Sequence, residues 1–198
     1  RRIRASGRNV ILYKAGRTRE GSAAAASHTA AAVGAFPFAS GSRDAAIVLV
    51  LPPGPYSAHL RSGDATGGVA LFEAYDAIGG DPRSRLINLS LRGQAGTGDS
   101  TLIAGVVVGG TEPVNLLLRA VGPGLEVFGV GGVLARPSIA LYSGSRLLGS
   151  NEGWSGVPFA ADLAGAARAA GAFPLSPASA DSALTVVIPP GPYTIHVS

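Results

Sequence analysis

Residues 171–198, GAFPLSPASADSALTVVIPPGPYTIHVS, decide the fold because the same pattern occurs twice in the chain. Residues 34–61, GAFPFASGSRDAAIVLVLPPGPYSAHLR, align with them without a gap, and 14 of the 28 aligned positions are identical. Agreement at half of the positions over this length does not arise by chance. The chain of 198 residues therefore contains two related copies of one structural module.

The repeated segment has the pattern of β-structure. Each copy has a short apolar run, AIVLVL or ALTVVI, followed by PPGPY, in which proline and glycine favour a turn before the next strand. Side chains alternate in the strands that follow, SAHLR and TIHVS. The predicted core face of these strands consists of Tyr56, Ala58 and Leu60 in the first copy and Tyr193, Ile195 and Val197 in the second.

A short helix is predicted before each GAFP motif. The segments AAAASHTAAAV and FAADLAGAARAA are rich in alanine, the residue with the highest helix propensity. A glycine follows each segment, Gly34 or Gly171, at the position where a residue with positive φ commonly ends a helix. We expect these helices to cover the β-structure or to connect its strands.

Further strands are predicted outside the repeat: VALFEAYD at 69–76, LINLSLR at 86–92, TLIAGVVV at 101–108 and VNLLLRAV at 114–121. In LINLSLR the apolar residues alternate with Asn88 and Ser90, which is typical of a half-buried strand. The chain has 29 glycines, 14 prolines and only 14% charged residues, which favours short strands joined by tight turns. The predicted class is all-β. Residues 1–80 form an incomplete first copy, and residues 81–198 form the second.

The two copies are incomplete in opposite senses. The first continues beyond SAHLR into VALFEAYD, whereas the second ends at TIHVS. A strand without a neighbour has unpaired backbone groups, which a strand from another subunit can bind. We predict assembly contacts at the end of the second copy and in the basic N-terminal segment, namely Arg1, Arg2, Ile3, Arg4, Tyr193, Ile195 and Val197. The alternative is a longer tandem array, in which the next residues of the same chain supply the strand.

Positive charge is concentrated at the N-terminus. The first twenty residues carry seven basic side chains and one acidic, a net charge of +6, and the remaining 9 basic and 11 acidic residues give −2. No aromatic-interleaved basic face accompanies this segment, so nucleic-acid binding is not expected. Contact with an acidic polysaccharide or with an acidic patch on a partner chain is the preferred interpretation, and simple solvation of the charges is the alternative. No apolar run reaches the length of a membrane-spanning helix.

No enzyme signature is present. The motifs GxSxG, HExxH and GxxxxGK[ST] and the EF-hand loop do not occur. VGPGLEVFG at 121–129 lacks the third glycine of a dinucleotide-binding loop and is interpreted as a turn. The three histidines, His28, His59 and His196, are interpreted as surface residues of a helix and two strands. We therefore predict no catalytic residue and no cofactor.

Two loops leave alternatives open. Asp44 and Asp181 occupy the same repeat position, directly before a strand, and are interpreted as acceptors for turn amides. Calcium is the second interpretation, with Asn151 and Glu152 as further oxygen donors. Trp154, the only tryptophan, lies in the loop NEGWSG. An exposed ring there would stack on a sugar, whereas a buried ring would cover the end of a sandwich.

Several motifs in a fixed order resemble a repeat of secreted proteins from environmental bacteria. These motifs are SRLINLSLRGQAGTGDSTLIAGVVVGG, LLLRAVGPGL, SIALYSGSRLLGSNEGW, IPPGPYTIHV and GVALFEAYD. The resemblance implies exported, Ig-like or jelly-roll-like antiparallel β-sandwich modules, in tandem arrays or attached to surface proteins. The LPPGxY strand and the LYxxG turn are also similar to pre-peptidase C-terminal domains of secreted bacterial enzymes, a likeness of fold that transfers no catalytic residue.

The predicted function is structural. We expect an extracellular or cell-surface module whose neighbouring subunits pair through β-strands head-to-tail, because such contacts do not close and so give fibres. A carbohydrate-binding or adhesive module, with Trp154 and the N-terminal arginines as contacts, is the alternative.

Overall fold

A computed structural model describes residues 2–6, 10–14, 23–39, 44–49, 51–61, 68–76 and 86–198. The chain divides into two compact units, Arg1–Ser90 and Leu91–Ser198. The boundary predicted between the two copies, after residue 80, lies outside the described residues.

The first unit contains parallel strands. Its described elements are β1 (Arg2–Ser6), β2 (Val10–Lys14), α1 (Ala23–Ala32), β3 (Ala45–Leu49), β4 (Ser57–Arg61) and β5 (Phe72–Asp76). Strand β1 pairs with β4, and β2 lies between β3 and β5, all in parallel. The antiparallel arrangement predicted for this unit is therefore wrong. Parallel neighbours need a long crossover connection, and the one between β2 and β3 contains α1.

The second unit is antiparallel throughout. Its elements are β6 (Leu102–Val108), β7 (Val114–Ala120), β8 (Ser138–Ser143), β9 (Arg146–Glu152), α2 (Ala160–Ala169), β10 (Ser182–Ile188) and β11 (Gly191–Val197). One sheet has the strand order β6-β11-β8-β9, and a second sheet pairs β10 with β7. The structure confirms the predicted all-β class with short helices.

The strand predicted at residues 86–92 does not form. Residues 86–96 have no regular secondary structure, and Ile87, Leu89 and Leu91 are exposed. Alternation predicts which side chains share a face, but a strand also needs a neighbour for its backbone groups. The Leu86 N–H instead donates to Asp76 Oδ2 at 3.0 Å.

The main core of the second unit lies between its two sheets. Apolar side chains of β7 and β10 pack against those of β6, β8, β9 and β11. Ile195 of β11 contacts this cluster, so the core face predicted for the last strand is confirmed for Ile195 and Tyr193. The buried members of the cluster are Val108, Leu141, Ile188 and Tyr193.

Both alanine-rich segments are helices, and both end at the predicted glycine. Gly34 after α1 has a φ of 72° and Gly171 after α2 a φ of 69°, values that strain a residue with a Cβ. After α2, the Ala172 N–H donates back to the Ala167 carbonyl at 2.9 Å. Such a bond satisfies one of the carbonyl groups that a helix leaves free at its C-terminus.

The PPGPY turn has the same anchor in both copies. The Tyr56 hydroxyl donates to the Pro52 carbonyl at 2.8 Å, and the Tyr193 hydroxyl donates to the Pro189 carbonyl at 2.7 Å. Local structure is therefore common to the two copies, although their strands pair differently.

We expect Leu141→Ala to lower the free energy of unfolding of the second unit by about 3 kcal/mol, because the fully buried side chain would leave a cavity. Leu147→Ala is the matched control, since Leu147 is 51% exposed and its truncation is expected to cost less than about 0.5 kcal/mol. Urea unfolding followed by Trp154 fluorescence measures both. Equal losses in the two variants would contradict this description of the core.

Candidate functional site

A buried carboxylate connects β7 and β10, the two strands of the smaller sheet of the second unit. Asp181 directly precedes β10 and is fully buried. Its Oδ1 accepts hydrogen bonds from Gly122 N–H at 2.8 Å and from Gly124 N–H at 3.2 Å, and Oδ2 lies 3.1 Å from the Gly124 nitrogen. Gly122 and Gly124 follow the end of β7. The interpretation of Asp181 as an acceptor for turn amides is therefore confirmed.

The glycines of this turn are required by close packing. A Cβ added to Gly124 would lie 2.7 Å from Asp181 Oδ2, and a Cβ added to Gly122 would overlap the carbonyl oxygen of Leu134. The amides of VGPGLEVFG thus bind a carboxylate of the same chain, which agrees with its interpretation as a turn.

Residues 150–154, SNEGW, comprise the end of β9 and the loop that follows it. Hydrogen bonds from these residues connect the start of β10 to the four-stranded sheet. Their backbone and side-chain groups form hydrogen bonds with three consecutive residues. These are Asp181, directly before β10, and Ser182 and Ala183, the first two residues of β10. The bonds are Trp154 N–H to Asp181 O at 2.7 Å, Gly153 N–H to Ser182 Oγ at 3.1 Å and Ala183 N–H to Asn151 Oδ1 at 3.1 Å. The Ser182 hydroxyl in turn donates to the Pro137 carbonyl at 2.6 Å.

Trp154 lies within the protein. Only 8% of the residue is exposed, and the ring packs against Leu163 of α2 and Ala183 of β10. Its indole N–H donates to the Ser176 carbonyl at 3.0 Å and is 3.2 Å from Ser179 Oγ. The exposed ring on which the sugar-stacking interpretation depended is thus not present, because α2 covers it. The buried ring fits the other interpretation, in which it covers the end of the β-structure.

Arg119 of β7 lies beside this cluster on the side of the sheet that faces α2. Its guanidinium stacks on the ring of Phe173, with 4.4 Å between Cζ and the ring centroid. Nε and Nη2 are buried and have no hydrogen-bond partner among the residues that the structure describes. Burial lowers the pKa of Arg119 from its ordinary value, and the charge of Asp181 raises it.

A pocket of about 320 Å³ adjoins Arg119 between the two-stranded sheet and α2. Its walls are mostly apolar and include Trp154, Leu163 and Leu175, whereas Arg119 and Arg168 are its charged lining residues. Pockets that bind small molecules commonly combine apolar walls with a few polar groups. This pocket is the candidate ligand site of the described residues.

The predicted assembly residues of the last strand do not lie at an edge. Strand β11 is central in its sheet, with Ile195 opposite Ala104 of β6 on one side and Leu141 of β8 on the other. Val197 likewise pairs on both sides, and Tyr193 is buried. The unpaired edge predicted at TIHVS is therefore wrong. Strands β6 and β8 occupy both of its sides.

The predicted N-terminal contacts lie in a strand that pairs on one side among the described residues. Arg2, Ile3 and Arg4 belong to β1, which runs parallel to β4 in the first unit. Arg1 lies outside the described residues.

The candidate calcium residues do not come together as a ligand set. Within the described ranges, no three or more His, Cys, Asp or Glu residues are placed to hold a metal ion. Asn151 binds the backbone of β10, and Glu152 is exposed at a small pocket beside Arg136. Asp44 is half-buried before β3.

The three histidines lie on one helix and two strands. His28 is exposed on α1, and His59 is half-buried on β4. The ring of His196 lies 4.8 Å from the ring of Tyr142 on the neighbouring strand. These positions fit side chains on helix and strand surfaces.

Comparisons with protein-family models, with curated proteins and with solved structures each gave no match. None of the helices described here has the length and apolar character needed to cross a membrane.

Sequence reasoning did not identify Arg119, Phe173 and Ser182 as residues of this site. One signal was available for Arg119, since a charged residue interrupts the apolar run LLLRAV at 116–121. The contact between Arg119 and Phe173 joins residues far apart in the chain, and no local pattern predicts it.

We expect Asp181→Ala to destabilise the second unit by about 3 kcal/mol, since two buried amides would lose a charged acceptor. Asp162→Ala, at an exposed position in the first turn of α2, is expected to cost less than about 1 kcal/mol. Thermal and urea unfolding of the two variants provide the measurement. A loss for Asp181→Ala as small as that for Asp162→Ala would refute the proposed importance of the carboxylate.

Proposed function

We propose that this chain is a structural module of an extracellular or cell-surface protein and that it assembles with neighbouring copies through β-strand pairing. The observation that carries the proposal is an open, apolar sheet edge together with an exposed, strand-like segment. In the second unit, the two facing antiparallel sheets support an Ig-like or jelly-roll-like sandwich as the finer fold. The location outside the cell rests on the resemblance to secreted repeats.

The open edge in this proposal is β6, one of the two edge strands of the four-stranded sheet. Among the described strands it pairs only with β11, so its other side has unpaired backbone groups. Its seven residues, LIAGVVV, include no charge and no proline, the features that commonly protect an edge from pairing. The outward side chains of Ile103 and Val107 are exposed. Such an edge favours addition of another strand.

The strand-like segment is residues 86–92, LINLSLR. Ile87, Leu89 and Leu91 are exposed, which leaves an apolar row without cover among the described residues. The Asn88 Nδ2 group donates to Ser90 Oγ at 3.2 Å, so these polar side chains lie on the same side, as in a strand. Pairing with an edge would satisfy the backbone of the segment and bury its apolar row.

Addition of the segment of one copy to β6 of the next uses two different surfaces. Contacts of this kind are heterologous and extend into open, head-to-tail chains instead of closing as dimers. The same geometry applies whether the neighbours are separate chains or successive modules of a tandem array. An acidic polysaccharide stays a predicted partner of the basic N-terminal segment.

We expect the chain to associate with increasing concentration and Val107→Lys to weaken association by about tenfold or more, because a charge on the edge opposes strand addition. Val127→Lys is the matched control. Val107 is 77% exposed and Val127 82%, but Val127 lies in the turn after β7, away from β6. Sedimentation velocity over a range of concentrations measures association. A wild-type chain that stays monomeric, or equal effects of both substitutions, would contradict the proposal.

Mixing two defective variants tests whether the contact is head-to-tail. Leu89→Asp has an altered segment and an intact edge, whereas Val107→Lys has an intact segment and an altered edge. Each variant alone should be monomeric, and the mixture should form one-to-one dimers that do not grow. Leu147→Asp, at a similarly exposed leucine of β9, should assemble like the wild type. If the mixture also stays monomeric, the paired surfaces are not the segment and β6.

A further inference from the structure

Two unpaired nitrogen atoms of the Arg119 guanidinium indicate a ligand. Nε and Nη2 are adjacent nitrogens of the guanidinium, and their N–H groups form one side of its donor fork. Both nitrogens are buried, and neither has a hydrogen-bond partner in the described part of the chain. Buried donors without acceptors cost free energy, which a bound acceptor would recover. The acceptor that matches two parallel N–H groups is a carboxylate.

Asp181 does not supply this acceptor to Nε or Nη2. Its carboxylate binds the Gly122 and Gly124 amides, and the two Arg119 nitrogens have no partner despite the nearby charge. Arg119 therefore retains binding capacity after the internal hydrogen bonds have formed.

The adjoining pocket selects for an apolar ligand body. Trp154, Leu163 and Leu175 line it, and its volume of about 320 Å³ suits a short or medium-length hydrocarbon chain or one aromatic ring. Arg168 of α2 is a second cation at the same pocket. An extended strand of a partner protein is too large for this space, so the pocket favours a small molecule.

We propose that the second unit binds a small apolar carboxylate in this pocket, with the carboxylate on the Nε and Nη2 edge of Arg119 and the apolar body against Trp154 and Leu163. The ring of Phe173 stacks on the face of the guanidinium, so this contact leaves the in-plane N–H groups free to donate to a ligand oxygen. This binding is independent of strand pairing, because β6 does not contribute to the pocket.

Titration of the full chain with octanoate, followed by the fluorescence of Trp154, tests the proposal. Trp154 is the only tryptophan and lines the pocket, so its emission reports on this site. We expect a saturable change with octanoate and binding of 1-octanol that is weaker by about tenfold or more, because the alcohol lacks the charge that pairs with Arg119.

Two variants separate the role of Arg119 from a general effect of charge. Arg119→Met should reduce octanoate affinity to that of octanol, whereas Arg146→Met, at an exposed position in β9, should bind octanoate like the wild type. A melting temperature measured for each variant establishes that it is folded. If Arg119→Met does not fold, the ratio of octanoate to octanol affinity in the wild type decides.

Three results would overturn the proposal: no saturable binding of octanoate, equal binding of octanoate and octanol, or unchanged octanoate binding by a folded Arg119→Met variant. The last result would assign Arg119 a purely structural role beside Asp181.

Discussion

The second unit depends on one buried anion. Asp181 has no access to water, and its carboxylate is stabilised by the amides of Gly122 and Gly124. Removing a carboxylate from water costs several kcal/mol unless hydrogen bonds replace the lost solvation. Because the amides follow β7 and the carboxylate precedes β10, these bonds hold together the end of one strand and the beginning of the other. The register from Ser182 opposite Ala120 to Ile188 opposite Val114 continues from that point.

The two sheets of this unit are covered differently. Helix α2 covers the outer face of the two-stranded sheet and creates the pocket beside Arg119. On the four-stranded sheet, Ile103, Val107 and Leu147 are exposed. The covered face is suited to enclosing a small ligand, and the open sheet is suited to contact with another protein surface. Two proposals that concern different ligands therefore arise from one asymmetric arrangement.

Sequence patterns predicted structure where the information is local. The helices, their terminal glycines and strands β6, β7, β10 and β11 follow from composition and alternation within short segments. Strand neighbours were not predictable in this way. Residues 86–92 alternate as a strand does but have no strand neighbour, and β11 was assigned to an edge although β6 and β8 flank it. The site residues show the same division, since the acceptor role of Asp181 follows from its position before a strand, whereas its partners lie 57 and 59 residues away.

The similarity of the two repeated segments means that the folding chain must distinguish between them. Residues 45–49 and 182–186 have similar apolar patterns, and each could in principle compete for the strands that belong to the other. At one of the positions that differ, the structure shows a consequence for hydrogen bonding. Ser182 binds Gly153 and Pro137 through its hydroxyl, and the first copy has Ala45 at the equivalent place, which can make neither bond. The Ser182 hydroxyl group is therefore a difference between the two copies that favours the pairing of the second copy with its own loop.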